Sequence, residues 1–169
     1  MIVRNPNQRV AVLVDVQNLY YSAKNLYRAK VNFKNLLKLA VQDRPLTRGI
    51  AYVINAEPGE QNEFFEAVNT AGFEIKEKAL QTFIGGAKKG DWDVGIAMDA
   101  VRLAPKVDSI VLVSGDGDFV PVVTFLQSAG CLVEVIAFKK TANNTLMETA
   151  DDFIDISEYK RELMFKQKK

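Results

Sequence analysis

Two short apolar runs constrain this chain more than anything else in it: Val10–Val14 within RVAVLVDV, and Ile110–Val113 within SIVLVSGDGDF. Neither alternates with polar residues, which is how a strand buried on both faces of a parallel sheet reads. Each run then meets acid. Asp15 closes the first, and after Ser114 the second passes into Gly115-Asp116-Gly117-Asp118. In open α/β sheets ligands bind outside the carboxyl ends of the strands, so two strands that both end on aspartate point to a site.

The rest of the chain alternates in kind. Further strands are expected at Arg48–Ala56, Phe73–Leu80 and Cys131–Phe138, with Phe73–Leu80 near a sheet edge. Between them, Phe33, Leu36, Leu37 and Ala40 recur at helical spacing, and so do Phe64, Phe65, Val68 and Ala71. Trp92–Leu103 and Phe119–Ala129 read as two more helices, with Asp91 standing where an N-cap belongs. Pro45, Pro58-Gly59, Gly72, Pro105 and Gly130 punctuate the series. Asn143–Ala150 then predicts a helix, Phe153–Ile156 a short extended piece, and 159–169 a basic, partly frayed helical tail. Alternation of this kind predicts an α/β fold in three layers, a parallel sheet with helices on both faces. Residues 1–158 are expected to form one domain.

Composition narrows the chemistry. The chain has 169 residues, 48% hydrophobic and 25% charged, at a net charge of +1, so bulk charge by itself selects no nucleic-acid or membrane partner. No apolar run approaches the roughly 20 residues of a membrane span, and no signal-peptide core opens the sequence. The single Cys131 excludes an internal disulfide and fits a reducing cytoplasm. There is no histidine. That removes Ser-His-Asp, Cys-His and His-ligated metal chemistry, and leaves carboxylates, with or without a metal, as the means of catalysis.

In a doubly wound sheet the first and fourth strands are neighbours, so Asp15, Asp116 and Asp118 share one crevice, into which Asp93 of the preceding helix can point. Closely packed carboxylates repel and raise one another's pKa unless a cation lies between them. Oxygen ligands with open positions suit Mg²⁺ or Mn²⁺. Plainer roles exist for each residue. Asp15 and Asn18 serve equally as local caps, and Asp93 suits any helix N-terminus. Asp99, six residues on and about 120° round the helix, is a supporting acid or a surface residue. Lys88, Lys89, Lys139 and Lys140 either steer a phosphate backbone or lie solvated. Gly115-x-Gly117 is no dinucleotide fingerprint and Gly85–Gly90 no P-loop, so no nucleotide cofactor is expected. Trp92 and Phe119 read as packing aromatics.

Taken together, VLVDVQNLYYSAKN, KKGDWDVGIAMDAV, LVSGDGDFVPVVTFLQSAGCLVEVIAF and LMETADDFIDI resemble the successive blocks of NYN domains, over roughly Val10 to Ile156. The likeness is to the LabA-like group of bacterial NYN proteins. It implies a PIN-like nuclease fold with a mostly parallel five-stranded sheet in the order 3-2-1-4-5. It also implies a metal-dependent ribonuclease whose catalytic acids are Asp15, Asp93, Asp116 and Asp118. Asp15, Asp93 and Asp116 would hold Mg²⁺ or Mn²⁺, while Asn18, Ser114 and Lys89 would position water or substrate. Asp99 would stand behind them. One additional residue between Gly90 and Asp93 leaves Asp91 and Asp93 competing for one position, and the spacing to Val94 and Asp99 favours Asp93. RNA is the implied partner. The alternative is a weakly active or inactive regulatory scaffold, with a homodimer allowed; a Toprim-like site ranks last, since it wants Glu where Asp15 stands.

Overall fold

Apolar runs of four to six residues are too short for helices and too apolar for an exposed edge, so they pair with one another in the middle of a sheet. The computed structural model describes residues 2–55, 62–86 and 88–166, with Asn62, Lys88, Lys89 and Lys166 described in backbone only. The expected Pro58-Gly59 turn lies outside them. In chain order the elements are β1 (Val10–Asp15), α1 (Val16–Tyr27), β2 (Ala29–Val31), α2 (Phe33–Val41), β3 (Leu46–Asn55), α3 (Asn62–Ala71) and β4 (Glu74–Ala79). Then come β5 (Gln81–Thr82), β6 (Lys88–Lys89), α4 (Asp93–Leu103), β7 (Ser109–Val113), α5 (Val120–Ser128) and β8 (Leu132–Ala137). The chain closes with α6 (Asn144–Thr149), β9 (Asp152–Asp155), α7 (Lys160–Leu163) and β10 (Met164–Lys166).

The main sheet runs β4-β3-β1-β7-β8-β9, every pair parallel. Its first five strands follow the expected order, and a sixth corrects the count. Asp152–Asp155 is only four residues long and bounded by acids, so its pairing is tertiary. It lies in register with Glu134–Ala137, the Asp151 carboxylate accepts from the Val133 amide at 2.8 Å, and Arg4 forms an ion pair with Asp152. Two further small sheets, β2 with β10 and β5 with β6, carry no hydrophobic signal that sequence reading can use. The tail is therefore not a frayed helix throughout. Leu163 is buried and its carbonyl accepts from the Asn32 amide at 2.7 Å, which turns Met164–Lys166 into a strand against β2.

Alternate residues of β1 feed two cores. Ala11 and Leu13 pack with Ile96, Ala100, Val123 and Leu126 of α4 and α5; Val10, Val12 and Val14 pack with Leu19, Leu36 and Val68 of α1, α2 and α3. Among the described residues no helix is long and apolar enough to cross a membrane.

A polar network crosses the second core. Arg44 and Glu134 are 4% and 1% exposed and bind through two contacts of 2.8 and 3.2 Å. Arg44 also donates to the Val41 and Ala40 carbonyls, and Ser109 Oγ donates to Glu134 at 2.5 Å. Removing Arg44 leaves buried Glu134 with Arg4 alone, which it shares with Asp152, so the cost approaches that of a broken buried pair, about 3–5 kcal/mol. Arg44→Met is expected to lower the urea midpoint accordingly, and Arg44→Met with Glu134→Leu to recover most of the loss. A double variant no more stable than the single one would show that the loss is not the cost of an unpaired Glu134 carboxylate.

Candidate metal centre

The site begins where β1 and β7 run out side by side. Val14 is in register with Val113, so Asp15 and Ser114 leave the sheet as neighbours, and Ser114 Oγ donates to Asp15 Oδ2 at 3.2 Å. Asp15 Oδ1 accepts from the Asn18 amide at 3.2 Å, which makes it the N-cap of α1. Asn18 in turn accepts the Gly115 amide on its Oδ1 at 3.0 Å, and Ser114 Oγ accepts the Asp116 amide at 3.2 Å. The α1 N-terminus is thus tied to the loop that carries the acids. Asp116 Oδ1 accepts from the Asp118 amide at 2.9 Å and caps a single 3₁₀ turn, Gly117–Phe119, which buried Phe119 anchors in the core.

Asp93 arrives from the other layer, on the first turn of α4. Trp92 sets its place. The indole N–H donates to the Val53 carbonyl at 2.9 Å, the ring lies 5.3 Å from that of Tyr52, and Lys78 sits 5.1 Å over its face. A Cβ on Gly95 would lie 2.5 Å from Trp92 Cε3, so the helix needs glycine there. Asp91 does not cap α4 as its position predicts. Its carboxylate accepts the Asp93 amide at 3.1 Å, two residues on, and the helix starts after Trp92.

One carboxylate oxygen from each of Asp93, Asp116 and Asp118 lies within 4.8 Å of the others. Asp15 is not in that set; it sits deeper, 8% exposed, with both oxygens hydrogen-bonded. Burial raises the Asp15 carboxyl, against the opposing hydrogen bonds from Asn18 and Ser114, and the charges of Asp116 and Asp91 add to the rise. Asp93 is pushed up to about 6, first by burial and then by Asp116, Asp91, Asp15 and Asp118. Among the described residues no lysine or arginine forms an ion pair with these acids. A group of carboxylates with no counter-charge among the described residues fits a divalent cation, by donor type and by electrostatic need.

Asp99 belongs elsewhere. It takes hydrogen bonds from Tyr52 and Lys76 at 2.7 Å each and from Arg102 at 3.3 Å. Burial works to raise its carboxyl, but the bonds from Lys76 and Tyr52 prevail and hold it below the usual range. It braces α4 against β3 and β4. The side chains of Lys88 and Lys89 lie outside the described residues. The loop glycines answer to close packing against the segment before α6. A Cβ on Gly115 would sit 3.0 Å from Ala142 Cα, and one on Gly117 2.6 Å from Asn143 Nδ2. Asn143, missed in the sequence, caps α6 through the Leu146 amide and donates its own amide to the Gly115 carbonyl. Its signal was the Asn ahead of Leu146 at N-cap spacing.

An open parallel sheet with helices on both faces and a cluster of acids at its carboxyl edge defines the PIN-like class of α/β domain. The NYN domain model matches residues 9–157, and the chain belongs to the NYN domain family. It is 24% identical to the low amplitude and bright protein LabA of Synechococcus elongatus, covering 89% of this chain and 84% of that one. It is 29% identical to an uncharacterized protein of Methanocaldococcus jannaschii, covering 98% of this chain and 64% of that one. The crystal structure of a protein of unknown function from Vibrio parahaemolyticus superposes with a TM-score of 0.86 at 33% identity, over 97% of this chain and 100% of that one.

Two outcomes follow from this geometry. Because the Asp93 carboxyl is raised above its unfolded value of 3.8, the native state binds the extra proton between pH 4 and about 6. Metal-free stability therefore falls as pH rises through that window, and the full cost is present above it. Asp93→Asn is expected to raise the thermal midpoint of the chelator-treated protein at pH 7, with the gain vanishing below about pH 4; an unchanged or lowered midpoint at pH 7 would contradict the electrostatic reading. Gly95→Ala is expected to cost about 1–3 kcal/mol by overpacking and to shift the emission of Trp92, the chain's only tryptophan.

Proposed function

We propose that the protein is a metal-dependent ribonuclease, with the Asp93–Asp116–Asp118 cluster, backed by Asp15, as its Mg²⁺ or Mn²⁺ site. The observation that carries this is the convergence of three carboxylates, from the α4 N-terminus and the loop after β7, with no ion-pair partner among the described residues. Buried acids elsewhere in the chain are paired, as Glu134 is with Arg44 and Asp99 with Lys76.

When bound, the divalent ion would lower the pKa of a water and neutralise charge on a phosphodiester. The chain's own residues do the rest. Asp93, Asp116 and Asp118 present oxygens to one point, and Asp15 adds negative charge from the strand end behind them. Ser114 acts through others: its hydroxyl bridges Asp15 and the Asp116 amide, and so sets the distance between strand end and loop. Asn18 spends its carbonyl oxygen on Gly115, which leaves its amide N–H groups as donors for a phosphate oxygen or a water. Lys89 and its neighbour Lys88 would draw in the RNA backbone.

The test combines binding with turnover. Mn²⁺ titrated into chelator-treated protein is expected to change Trp92 fluorescence saturably, and Asp116→Asn to weaken the response at least tenfold. Labelled RNA incubated with metal-loaded protein is expected to be cut, and Asp116→Asn to reduce the rate about 100-fold or more, the scale on which removing one transition-state interaction acts. Cleavage that survives Asp116→Asn would sink the site. Metal binding without cleavage of any RNA would leave the regulatory scaffold as the better account.

A further inference from the structure

Helix α4 inverts the usual pattern of a surface helix. Of its three charged side chains, Asp93 turns to the acid cluster and Asp99 to Tyr52 and Lys76 of the sheet. What points outward is apolar. Val94 is 75% and Met98 45% exposed, one turn apart, and half-buried Ala97 and Val101 complete a stripe at i, i+3, i+4 and i+7. Helix α2, by contrast, turns Lys34 and Lys38 to solvent. A helix apolar on its sheet side and on its solvent side alike has the pattern of a covered helix.

The neighbouring helix extends the patch. α5 packs beside α4, with Val123 and Leu126 buried on the sheet and Gln127 donating to the Thr149 carbonyl of α6. Phe125, 49% exposed, stands two residues from Gln127 and so about 200° round the helix, away from α6 and toward α4. Val101 stands two residues from Asp99, which reaches toward β3 and β4, and by the same spacing leans toward α5. The stripe of α4 and Phe125 thus form one apolar surface. Its two ends carry opposite charge. Exposed Asp91 stands at the start of α4; at the finish stand exposed Lys106 and Arg102, whose side chain is 69% exposed. Among the described residues neither Asp91 nor Lys106 forms an ion pair, and Arg102 has only a 3.3 Å contact with Asp99, which Lys76 already holds at 2.7 Å.

We propose that the α4–α5 face is a two-fold interface with a second copy of this chain, its axis crossing α4 at Met98. The charge pattern selects this occupant. Acid and base lie one helix length apart, about 16 Å for the eleven residues of α4, with apolar side chains between them. A half-turn about Met98 sets Met98 against itself, Val94 beside Arg102 of the partner subunit, and Asp91 opposite Lys106 of the partner subunit. A face that is its own complement is what a closed two-fold contact requires, whereas pairing the helices in parallel sets like charge on like. Apolar centre and charged rim match the anatomy of a specific interface. The pairing is independent of what the acid cluster catalyses, since Asp91 lies outside the group of three carboxylates that converge.

The test is sedimentation equilibrium of the full chain over a range of concentrations. A dimer is expected on the order of 100 µM, well above a dissociation constant of micromolar rank. Met98→Glu sets two carboxylates against each other on the axis and is expected to weaken the dimer at least about tenfold, with the far-ultraviolet circular dichroism unchanged because the side chain is exposed. Tyr21→Ser, on the exposed side of α1, is expected to leave the dimer intact. Arg102→Glu is expected to weaken it, and Arg102→Glu with Asp91→Arg to restore it. Mild oxidation is expected to cross-link Met98→Cys through the axis and not Val3→Cys, the native Cys131 being buried. A monomer at every concentration would overturn the interface and leave the face to a different partner. A dimer that survives Met98→Glu, or cross-linking no greater at position 98 than at position 3, would overturn it by placing the contact between copies elsewhere.

Discussion

The parallel pairing of β1 with β7 is the contact on which everything else in this molecule depends. Eight aliphatic side chains, Val10, Val12, Leu13, Val14, Ile110, Val111, Leu112 and Val113, are at most 4% exposed along these two strands. Each contributes roughly 1.5–3 kcal/mol by leaving water. That gain is large beside the repulsion among a few half-hydrated carboxylates, so the sheet holds acids together that would separate if free to do so. The two strands also run in one direction, so both deliver their acids to the same edge.

The loops at that edge are fastened by the acids themselves. Asp15 caps α1, Asp116 caps the turn holding Asp118, and Asp91 receives the Asp93 amide. A carboxylate that accepts a backbone N–H with one oxygen keeps a fixed direction for the other. Trp92 does the same work for α4 by wedging between Tyr52 and Gly95. The acid cluster is therefore held from both layers, by hydrogen bonds on the α1 side and by aromatic packing on the α4 side.

Comparison among the acids separates structural from functional ones. Glu134 faces Arg44 and Arg4, and Asp99 faces Lys76 and Arg102. Both are buried carboxylates of the kind a fold keeps only when they are matched by cations. Asp93, with Asp116 and Asp118 beside it, has no such match among the described residues, and burial followed by the charges of its neighbouring acids raises its pKa. The same residue type thus plays two parts, set by what each faces.

What the sequence by itself determined was the α/β class, the order of the five longer strands, and the presence of Asp15, Asp93, Asp116 and Asp118 at one sheet edge. The class and the strand-end acids follow from local facts, since a wholly apolar run specifies a central strand and the next residue must then lie at its end; the strand order and the place of Asp93 came with the likeness to NYN domains. Tertiary structure decided the remainder. The sixth strand, Asp152–Asp155, and the β10 strand exist because partners are there to pair with them, which no periodicity announces. Asp99 looked like a supporting acid and became a brace because Lys76 and Tyr52, distant in sequence, meet it. Gly115 and Gly117 are required by the close approach of Ala142 and Asn143, which are distant in sequence. Three of the acids come within 4.8 Å while the oxygens of Asp15 are taken by Asn18 and Ser114, an arrangement that spacing along the chain does not carry.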